Sequence, residues 1–417
     1  MGALALSVGA VVAACSVPAQ SPPVERPGRT GQAPHPRLPA GVAFEQLTHT
    51  LEDGSPVRLS VLSVSPSARV TVSAVHGDRL DSSRTVTEMS DRAGAVAAVN
   101  ASFFDIRTGP DFGGHEGDPL GVYASDGDLL SEAADGSTAL ILGPPGSRPR
   151  TADISTSSAL LASDGAAREL DGINRVPGRI LGCGGVGGDT LARTGRPESR
   201  PLRNQLCVDR DEIVSFRPAW GSDSPPGPEG SEEAVLDARG RVTALRSPAG
   251  GPIPAGGSTL SGIGQGADWL EAHASQGSSV QVTSGVQDRS GRRVAGAGVS
   301  VIGAGPALVR DGEVWINGAA NGFAAATLAR REPRTVAGIT ADGTLLLVTF
   351  DGRDPGRSVG VSMTEASRSL LRLGATEAVN LDGGGSATMV VDGAVRNRPA
   401  DGGAEEREVA TAIVVTG

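Results

Sequence analysis

One short stretch combines the residue types that polar chemistry needs. Residues 380–386 read Asn-Leu-Asp-Gly-Gly-Gly-Ser, so an amide and a carboxylate stand directly before three glycines. Glycine tolerates positive φ angles, which lets successive backbone N–H groups point at one anion or lets a ligand touch the backbone. The alternative is an ordinary hairpin turn, since Asp-Gly is the commonest hairpin signal. A hairpin needs fewer glycines and no preceding amide, so the stretch favours a ligand site.

A similar arrangement of polar groups occurs earlier in the chain. A Val-Asn pair ends an apolar run at Asn100 and again at Asn380, and a carboxylate follows each one, at Asp105 and Asp382. Each apolar run is preceded by a predicted helix that carries a Thr-Glu pair. The repetition predicts two strand ends that present amide and carboxylate groups to one pocket. Taken singly, each Asn fits the cap of a turn equally well.

Short strands are predicted to position these groups. The chain has 60 glycines and only 3% aromatic residues, and many Asp-Gly pairs separate its apolar runs, a pattern typical of antiparallel hairpins. Residues 362–373 have apolar side chains at the spacing of one buried helix face. We therefore predict an α+β fold of many short, largely antiparallel strands in mixed sheets, with a few helices packed on them, in one large domain.

The amino terminus predicts export. Residues 1–15 are mostly small and apolar, too short to span a bilayer, and end at Cys15, as in a signal peptide with a lipobox-like end. We predict that Cys15 is lipidated, placing the protein on the outer face of the cytoplasmic membrane; the alternative is a plain secretory signal. Residues 16–40 are rich in Pro, Ser and Gly and predict a disordered linker, followed by a domain over residues 41–417.

The remaining cysteines and the net charge limit the classes of site and partner. Cys183 and Cys207 predict one disulfide in an exported chain. The sequence has no CxxC and no His/Cys cluster, so it gives little support to a zinc site. The formal net charge of −10 argues against nucleic acid as a partner, because binding phosphates requires a basic surface.

Several motifs together resemble the phosphodiester glycosidase family. They are residues 99–105, residues 334–343, the Asn-Leu-Asp-Gly-Gly-Gly-Ser stretch, and Asn397, Pro399 and Arg407 near the end. The resemblance runs from about residue 90 to the C-terminus. It implies a hydrolase that cleaves the bond between a sugar's anomeric carbon and a phosphodiester, such as a GlcNAc-1-phosphodiester or a related envelope glycan.

This chemistry assigns roles to particular residues. Transfer of a glycosyl group to water needs carboxylates around an oxocarbenium-like centre, whereas a phosphate leaving group needs cationic or N–H partners more than an acid. Asp382 is the first candidate for base or nucleophile, and Asp351, Glu365 and Asp105 compete for the second role. The predicted substrate-binding residues are Asn100, Phe104, Arg334, Asn380, Gly383, Gly384, Ser386 and Arg407.

Three other functions are compatible with parts of the sequence. The first is a non-catalytic lipoprotein that binds cell-envelope polysaccharide on the same scaffold. The second is a Ca²⁺ or Mg²⁺ site of oxygen ligands at Asp351, Asp382 and Asn380; the sequence lacks EF-hand spacing, and no metal or cofactor is predicted to be required. The third, a nucleotidase, lacks the expected phosphate-loop spacings. We predict a sugar-phosphodiester substrate, no protein partner, and membrane contact only through the N-terminal lipid.

Overall fold

The computed structural model describes residues 37–106, 117–400 and 405–417. Cys15, the predicted signal segment and most of the predicted linker lie outside the described residues, so their roles stay predictions. Residues from Pro36 to Gly417 form one compact unit. None of the helices in the described ranges has the length and apolar character required to cross a bilayer.

Strands make up most of the regular structure. Polar and apolar residues alternate along the longer ones, and turns such as Asp126-Gly127 join neighbouring strands. The first fifteen strands are β1 (Val42–Thr50), β2 (Pro56–Val64), β3 (Thr71–His76), β4 (Ala97–Asn100), β5 (Tyr123–Ser125), β6 (Asp128–Ser131), β7 (Thr138–Leu142), β8 (Arg150–Ala162), β9 (Ala167–Glu169), β10 (Gly172–Ile173), β11 (Ile180–Leu181), β12 (Thr190–Leu191), β13 (Leu206–Val208), β14 (Ile213–Phe216) and β15 (Asp223–Ser224).

The second half continues the same pattern up to the C-terminal strand. Its strands are β16 (Glu232–Leu236), β17 (Val242–Arg246), β18 (Gly251–Pro252), β19 (Ser258–Gly262), β20 (Val280–Asp288), β21 (Ser300–Gly303), β22 (Ala307–Arg310), β23 (Glu313–Val314), β24 (Arg334–Thr340), β25 (Leu345–Phe350), β26 (Ala375–Asn380), β27 (Met389–Val391), β28 (Ala394–Val395) and β29 (Thr411–Thr416).

Helices are few and short in the described residues. They are α1 (Val86–Ala93), α2 (Gln265–His273), α3 (Ala325–Ala329) and α4 (Met363–Arg372), with 3₁₀ turns at Gly318–Asn321 and Gly384–Ser386. Both α1 and α4 begin with a capping box, in which a Ser or Thr and a Glu three residues later satisfy each other's backbone N–H groups. With so little helix, the α+β prediction is only loosely supported, and the fold is better described as mostly β.

The strands form several sheets that are almost entirely antiparallel. A seven-stranded sheet has the order β1-β2-β25-β24-β26-β22-β23, and a five-stranded sheet has the order β28-β27-β4-β29-β3. The strands β20-β8-β7-β21-β5-β6, with β9 beside β8, form a third sheet, and β10-β14-β19-β16-β17 form a fourth. In the fourth sheet β10 and β14 run parallel. Two small sheets, β11-β13-β12 and β15-β18, complete the set.

Burial explains how the first two sheets stack. In the seven-stranded sheet, Val336 and Val348 point to one face and pack with Met363 and Leu370 of α4. Alternate residues of the same strands, such as Ala337 and Leu347, point to the opposite face, where they join the core shared with Val99 and Ile413 of the five-stranded sheet. Helix α1 covers the outer face of that second sheet. The result is an α/β/β/α stack, and the chain crosses between its two sheets in the loop from β26 to β27.

Candidate active site

The crossing loop is fixed in place by the buried end of β4. Asn100 is fully buried and donates from Nδ2 to the carbonyl oxygen of Asp382 at 2.7 Å. Its Oδ1 accepts from the Thr335 hydroxyl at 2.6 Å and from the Thr388 N–H at 3.1 Å. The Asp382 N–H donates to the carbonyl of Ala101 at 3.0 Å. The structure thus brings Asn100 and Asp382 together, with Asn100 bound to the loop backbone.

The backbone of the loop requires glycine at two positions. A Cβ atom on Gly383 would lie 2.8 Å from the carbonyl oxygen of Pro333, and Gly384 has a φ of +62°. The Gly384 N–H donates to Pro333, the Ser386 N–H donates to the carbonyl of Gly383, and the Gly383 N–H donates to the carboxylate of Asp382. These N–H groups shape the loop around Asp382, whereas the sequence analysis assigned Gly383 and Gly384 to the substrate.

Asp382 is half-buried and has cationic neighbours. Burial raises the pKa of its carboxyl group, while the Ser386 hydroxyl hydrogen bond and the charges of Arg203 and Arg407 act in the opposite direction. Arg407 Nη1 lies 3.4 Å from the Oγ of the fully buried Ser386. Ser386 therefore links Arg407 to Asp382 and helps to hold the carboxylate in place.

Asp382 lines a cavity of about 530 Å³, within the usual size range of small-molecule sites. Its lining combines aromatic and aliphatic side chains with charged and amide groups. Among the described residues that line the cavity, Asp382 has the only carboxylate. The cavity is lined by Phe103, Phe104, Ile106, Leu120, Leu181, Arg203, Asn204, Asp382 and Arg407.

Arg203 is a site residue that the sequence analysis missed. The centre of its guanidinium group lies 3.2 Å from the centroid of the Phe103 ring and 4.8 Å from that of Phe323, which is cation–π geometry. Burial lowers the pKa of Arg203 to about 9, and the charge of Asp382 opposes that shift. The side chain therefore remains protonated at neutral pH, as a cation held close to an aromatic wall.

A disulfide bond adjoins the segment that carries Arg203. Cys183 and Cys207 are joined, as predicted from the sequence. Strand β11 pairs with β13 so that Ile180 lies opposite Cys207, and the Leu202 N–H donates to the carbonyl of Gly182 at 2.6 Å, which holds the Arg203 segment beside Leu181. The sequence signal that could have identified Arg203 as a site residue is its position within the loop that the disulfide closes.

Of the other predicted groups from the first strand end and from β26, Phe104 lines the cavity. Asp105 and Asn380 have structural partners instead. Asp105 is fully buried and pairs with Arg179 at 2.6 Å, and it is not one of the described lining residues. Asn380 is also buried, and its Nδ2 donates to the carbonyls of Gly305 and Leu381.

Asp351 and Arg334 do not line the cavity in the described structure. Burial raises the pKa of Asp351, and its Oδ1 accepts from the Arg398 N–H at 2.9 Å. The guanidinium of Arg334 donates to the carbonyls of Val361 and Arg330, so its charge neutralises backbone dipoles near the end of α3. Within the described ranges, no three His, Cys, Asp or Glu side chains are grouped as they would be around a metal ion.

Glu365 has a structural position at the start of α4. Its carboxylate accepts from the backbone N–H and the hydroxyl of Ser362, both at 2.9 Å, and it forms a two-pronged ion pair with Arg331. Burial raises the pKa of Glu365, but the hydrogen bonds from Arg331 and Ser362 outweigh burial and leave the pKa below its ordinary value. Glu365 therefore stabilises the helix start, and its catalytic role stays a prediction.

We expect Glu365→Gln to lower the free energy of unfolding by about 1 kcal/mol, because the amide keeps an acceptor for Ser362 but loses the charge that pairs with Arg331. Denaturant melts measure the loss. If the cavity around Asp382 is catalytic, the turnover number should stay within about twofold of the parent value, since Glu365 is not among the described lining residues. Glu313→Gln, on an exposed residue, is the matched control. A large fall in turnover in a stably folded Glu365→Gln protein would return this carboxylate to the list of catalytic groups.

Comparison with known proteins places this architecture in a family. Residues 232–416 match the family model described as phosphodiester glycosidase. The chain belongs to the phosphodiester glycosidase family. The matched region includes β24 to β27 and the crossing loop, so it contains the lining residues Asp382 and Arg407. The family is one of glycoside-cleaving hydrolases.

Individual relatives of this phosphodiester glycosidase family member match over limited stretches. N-acetylglucosamine-1-phosphodiester alpha-N-acetylglucosaminidase from Bos taurus is 34% identical over 107 residues, which are 22% of this chain and 19% of the bovine protein. The Homo sapiens enzyme of the same name is 40% identical over 68 residues, which are 16% of this chain and 13% of the human protein. The chain therefore spans less than a fifth of the length of these curated relatives.

A solved structure extends the similarity over most of the family member. A protein from Burkholderia pseudomallei, classed as exported, superposes with a TM-score of 0.76 at 31% identity. The alignment covers 87% of this chain and 75% of that one. The shared architecture therefore includes the region before residue 232, which supplies Phe103, Phe104 and Arg203 to the cavity.

Proposed function

We propose that this protein is a phosphodiester glycosidase that hydrolyses the bond between the anomeric carbon of a sugar and a phosphodiester. The observation that carries the proposal is the carboxylate of Asp382, the one such group among the described lining residues, acted on by the charges of Arg203 and Arg407 in one cavity. Ordinary glycoside hydrolysis uses two carboxyl groups, one of which protonates the leaving oxygen. A phosphate ester leaves as a stable anion, so a site with one carboxylate and two cations suits it.

The proposed reaction divides the work between the two kinds of group. Asp382 either removes a proton from the water that attacks the anomeric carbon, or attacks that carbon itself and forms a glycosyl ester that water then hydrolyses. In both cases the bond from that carbon to the phosphate oxygen breaks. The bonding electron pair leaves with the phosphate monoester, whose growing charge Arg203 and Arg407 stabilise. Water is the only co-reactant. Burial of Asp382 strengthens its basicity, because a raised pKa makes a carboxylate a better proton acceptor.

The aromatic wall supports the sugar side of the proposal. Phe104 lines the cavity beside Phe103, whose ring packs against Arg203, and an apolar ring face suits the C–H groups of a pyranose. The bovine and human relatives are named for N-acetylglucosamine-1-phosphodiester. We therefore propose a GlcNAc-1-phosphodiester or a related envelope glycan as substrate. Export is part of the proposal and is supported by the Burkholderia relative.

A panel of sugar-1-phosphodiesters tests the activity. We expect the purified protein to release free GlcNAc from GlcNAc-1-phosphate methyl ester but not from methyl N-acetylglucosaminide, which lacks the phosphate that the arginines would stabilise. Released sugar is measured by chromatography, with folding checked by circular dichroism. Absence of release from every diester by the folded protein would contradict the proposal, and saturable glycan binding without release would favour the non-catalytic lipoprotein.

A further inference from the structure

We propose that the cavity continues into a second binding site that holds an alkyl chain on the alcohol side of the phosphodiester. The proposal rests on the proposed function and deepens it, because it names the chemical class of the leaving group. The substrate class is then a sugar-1-phosphate esterified to an alcohol with an apolar chain. The observation behind this proposal is a second, smaller cavity, called here the side cavity.

The side cavity adjoins the main one and is mostly apolar. It has a volume of about 60 Å³ and shares Leu120, Leu181, Arg203 and Asn204 with the main cavity. Beyond that shared wall, its lining includes the apolar side chains of Val122, Ala133, Ile154 and Ala304. Since one water needs roughly 10–15 Å³ measured in this way, the side cavity has room for about four water-sized groups, such as a chain of about four carbons.

The order of groups along the two cavities matches the order of groups in the substrate. Asp382 lines only the main cavity, whereas Arg203 lines both. If Asp382 acts at the anomeric carbon and Arg203 binds the phosphate, the alcohol must extend from the phosphate away from Asp382. The side cavity is the space next to the main one in that direction, because the two cavities share Arg203 and Asn204.

The polar groups at the far end of the side cavity are already paired. The Thr138 N–H donates to Asn321 Oδ1 at 2.8 Å, and the Thr138 hydroxyl donates to Asp153 at 2.8 Å. Asn321 Nδ2 donates to the carbonyl of Asn317 at 3.2 Å. A hydroxylated group such as a second sugar would lose its water here without gaining these groups as partners. An alkyl chain loses nothing on leaving water, so it is the favoured occupant.

Chain length provides the test. We would compare the methyl and n-butyl esters of GlcNAc-1-phosphate with the intact protein. Burying one methylene improves binding about fourfold, so three give at most about 60-fold. We expect KM for the butyl ester to be at least tenfold lower than for the methyl ester. The glyceryl ester, of similar length but hydroxylated, should not show this gain.

A cavity-filling variant checks the location. Ala134 lines the side cavity and is half-buried, so Ala134→Leu should fill the space and remove the preference for the butyl ester. Ala219→Leu, at another half-buried alanine packed against a different core region, should keep the preference. Melting curves establish that both variants fold. Retention of the full butyl preference in folded Ala134→Leu would overturn the assignment to this cavity.

Calorimetry with unreactive probes separates this inference from the proposed function. The parent protein should bind monobutyl phosphate at least tenfold more tightly than monomethyl phosphate. Equal affinities, or equal KM values for the two esters, would overturn the alkyl site while leaving the hydrolysis intact. Tighter binding of monobutyl phosphate together with no sugar release from either ester would support the alkyl site and contradict the hydrolysis.

Discussion

Replacing Asp382 by Asn should abolish sugar release without unfolding the protein. Asp382 is the one carboxylate among the described lining residues of the main cavity, so the amide leaves neither a base nor a nucleophile at the anomeric carbon. We expect turnover to fall about a thousandfold or more. The amide still has an oxygen that accepts from the Ser386 hydroxyl. Sugar release from GlcNAc-1-phosphate methyl ester measures the loss, and thermal melts measure stability.

The stability of the parent relative to this variant depends on pH in a defined direction. The pKa of Asp382 is raised in the folded protein, because burial disfavours the charged carboxylate. The stabilisation that this raised pKa gives the parent is therefore fully present below the pKa of Asp382 in the unfolded protein. It is lost as the pH rises through the pKa of Asp382 in the folded protein. Because Asn stays neutral, Asp382→Asn should be at least as stable as the parent at pH 7. Asp392→Asn, at an exposed turn residue, is the control. Substantial residual turnover in folded Asp382→Asn would contradict the catalytic assignment.

Replacing Arg203 by Ala should lower kcat/KM for the methyl ester by about a hundredfold to a thousandfold, because a partly buried cation opposite the phosphate is lost. Arg203→Lys should recover only part of that loss. It restores the charge, but lysine does not reproduce the flat stacking of the guanidinium group on Phe103. Steady-state kinetics at pH 7 measure both variants.

The pH profile distinguishes a direct role of Arg203 from a purely structural one. The charge of Arg203 lowers the pKa of Asp382, against the effect of burial. Without that charge the pKa rises further, so the acidic limb of kcat/KM should move to higher pH in Arg203→Ala. The loss of activity should then be greater at pH 5 than at pH 8. Arg200→Ala, three residues earlier with a side chain 79% exposed, should have the parent profile. An unmoved acidic limb in Arg203→Ala would argue against electrostatic coupling with Asp382.

Glu365 has a structural role that a local pattern already indicated. The Ser-x-x-Glu spacing at Ser362 and Glu365 is a capping-box signature that is visible in the sequence. The structure shows that box fully formed. The sequence analysis instead named Glu365 as a candidate for the second catalytic carboxylate. Helix capping is a local interaction, so the sequence held enough information to assign Glu365 to the helix start.

Arg334 and Asp105 show the opposite case. Arg334 was predicted to bind phosphate, yet its guanidinium donates hydrogen bonds to backbone carbonyls at the ends of neighbouring elements. Asp105 was predicted to share the site with Asp382, yet its carboxylate forms an ion pair with Arg179. Val361 and Arg179 come from segments whose position relative to the strand depends on packing of the whole domain. No spacing rule along the chain reports such contacts.

The sequence alone determined the features that depend on neighbouring residues. It predicted strands with tight turns, the capped helix before β26, the disulfide, and a loop in which Asp382 precedes glycines required by backbone geometry. Only the tertiary structure decided which groups face Asp382. Arg203, Phe103 and Leu181 reach the main cavity from distant parts of the chain because sheet packing and the Cys183–Cys207 bond bring them there. Non-local packing, which no local pattern encodes, therefore decided the make-up of the site around a carboxylate that the sequence had already marked.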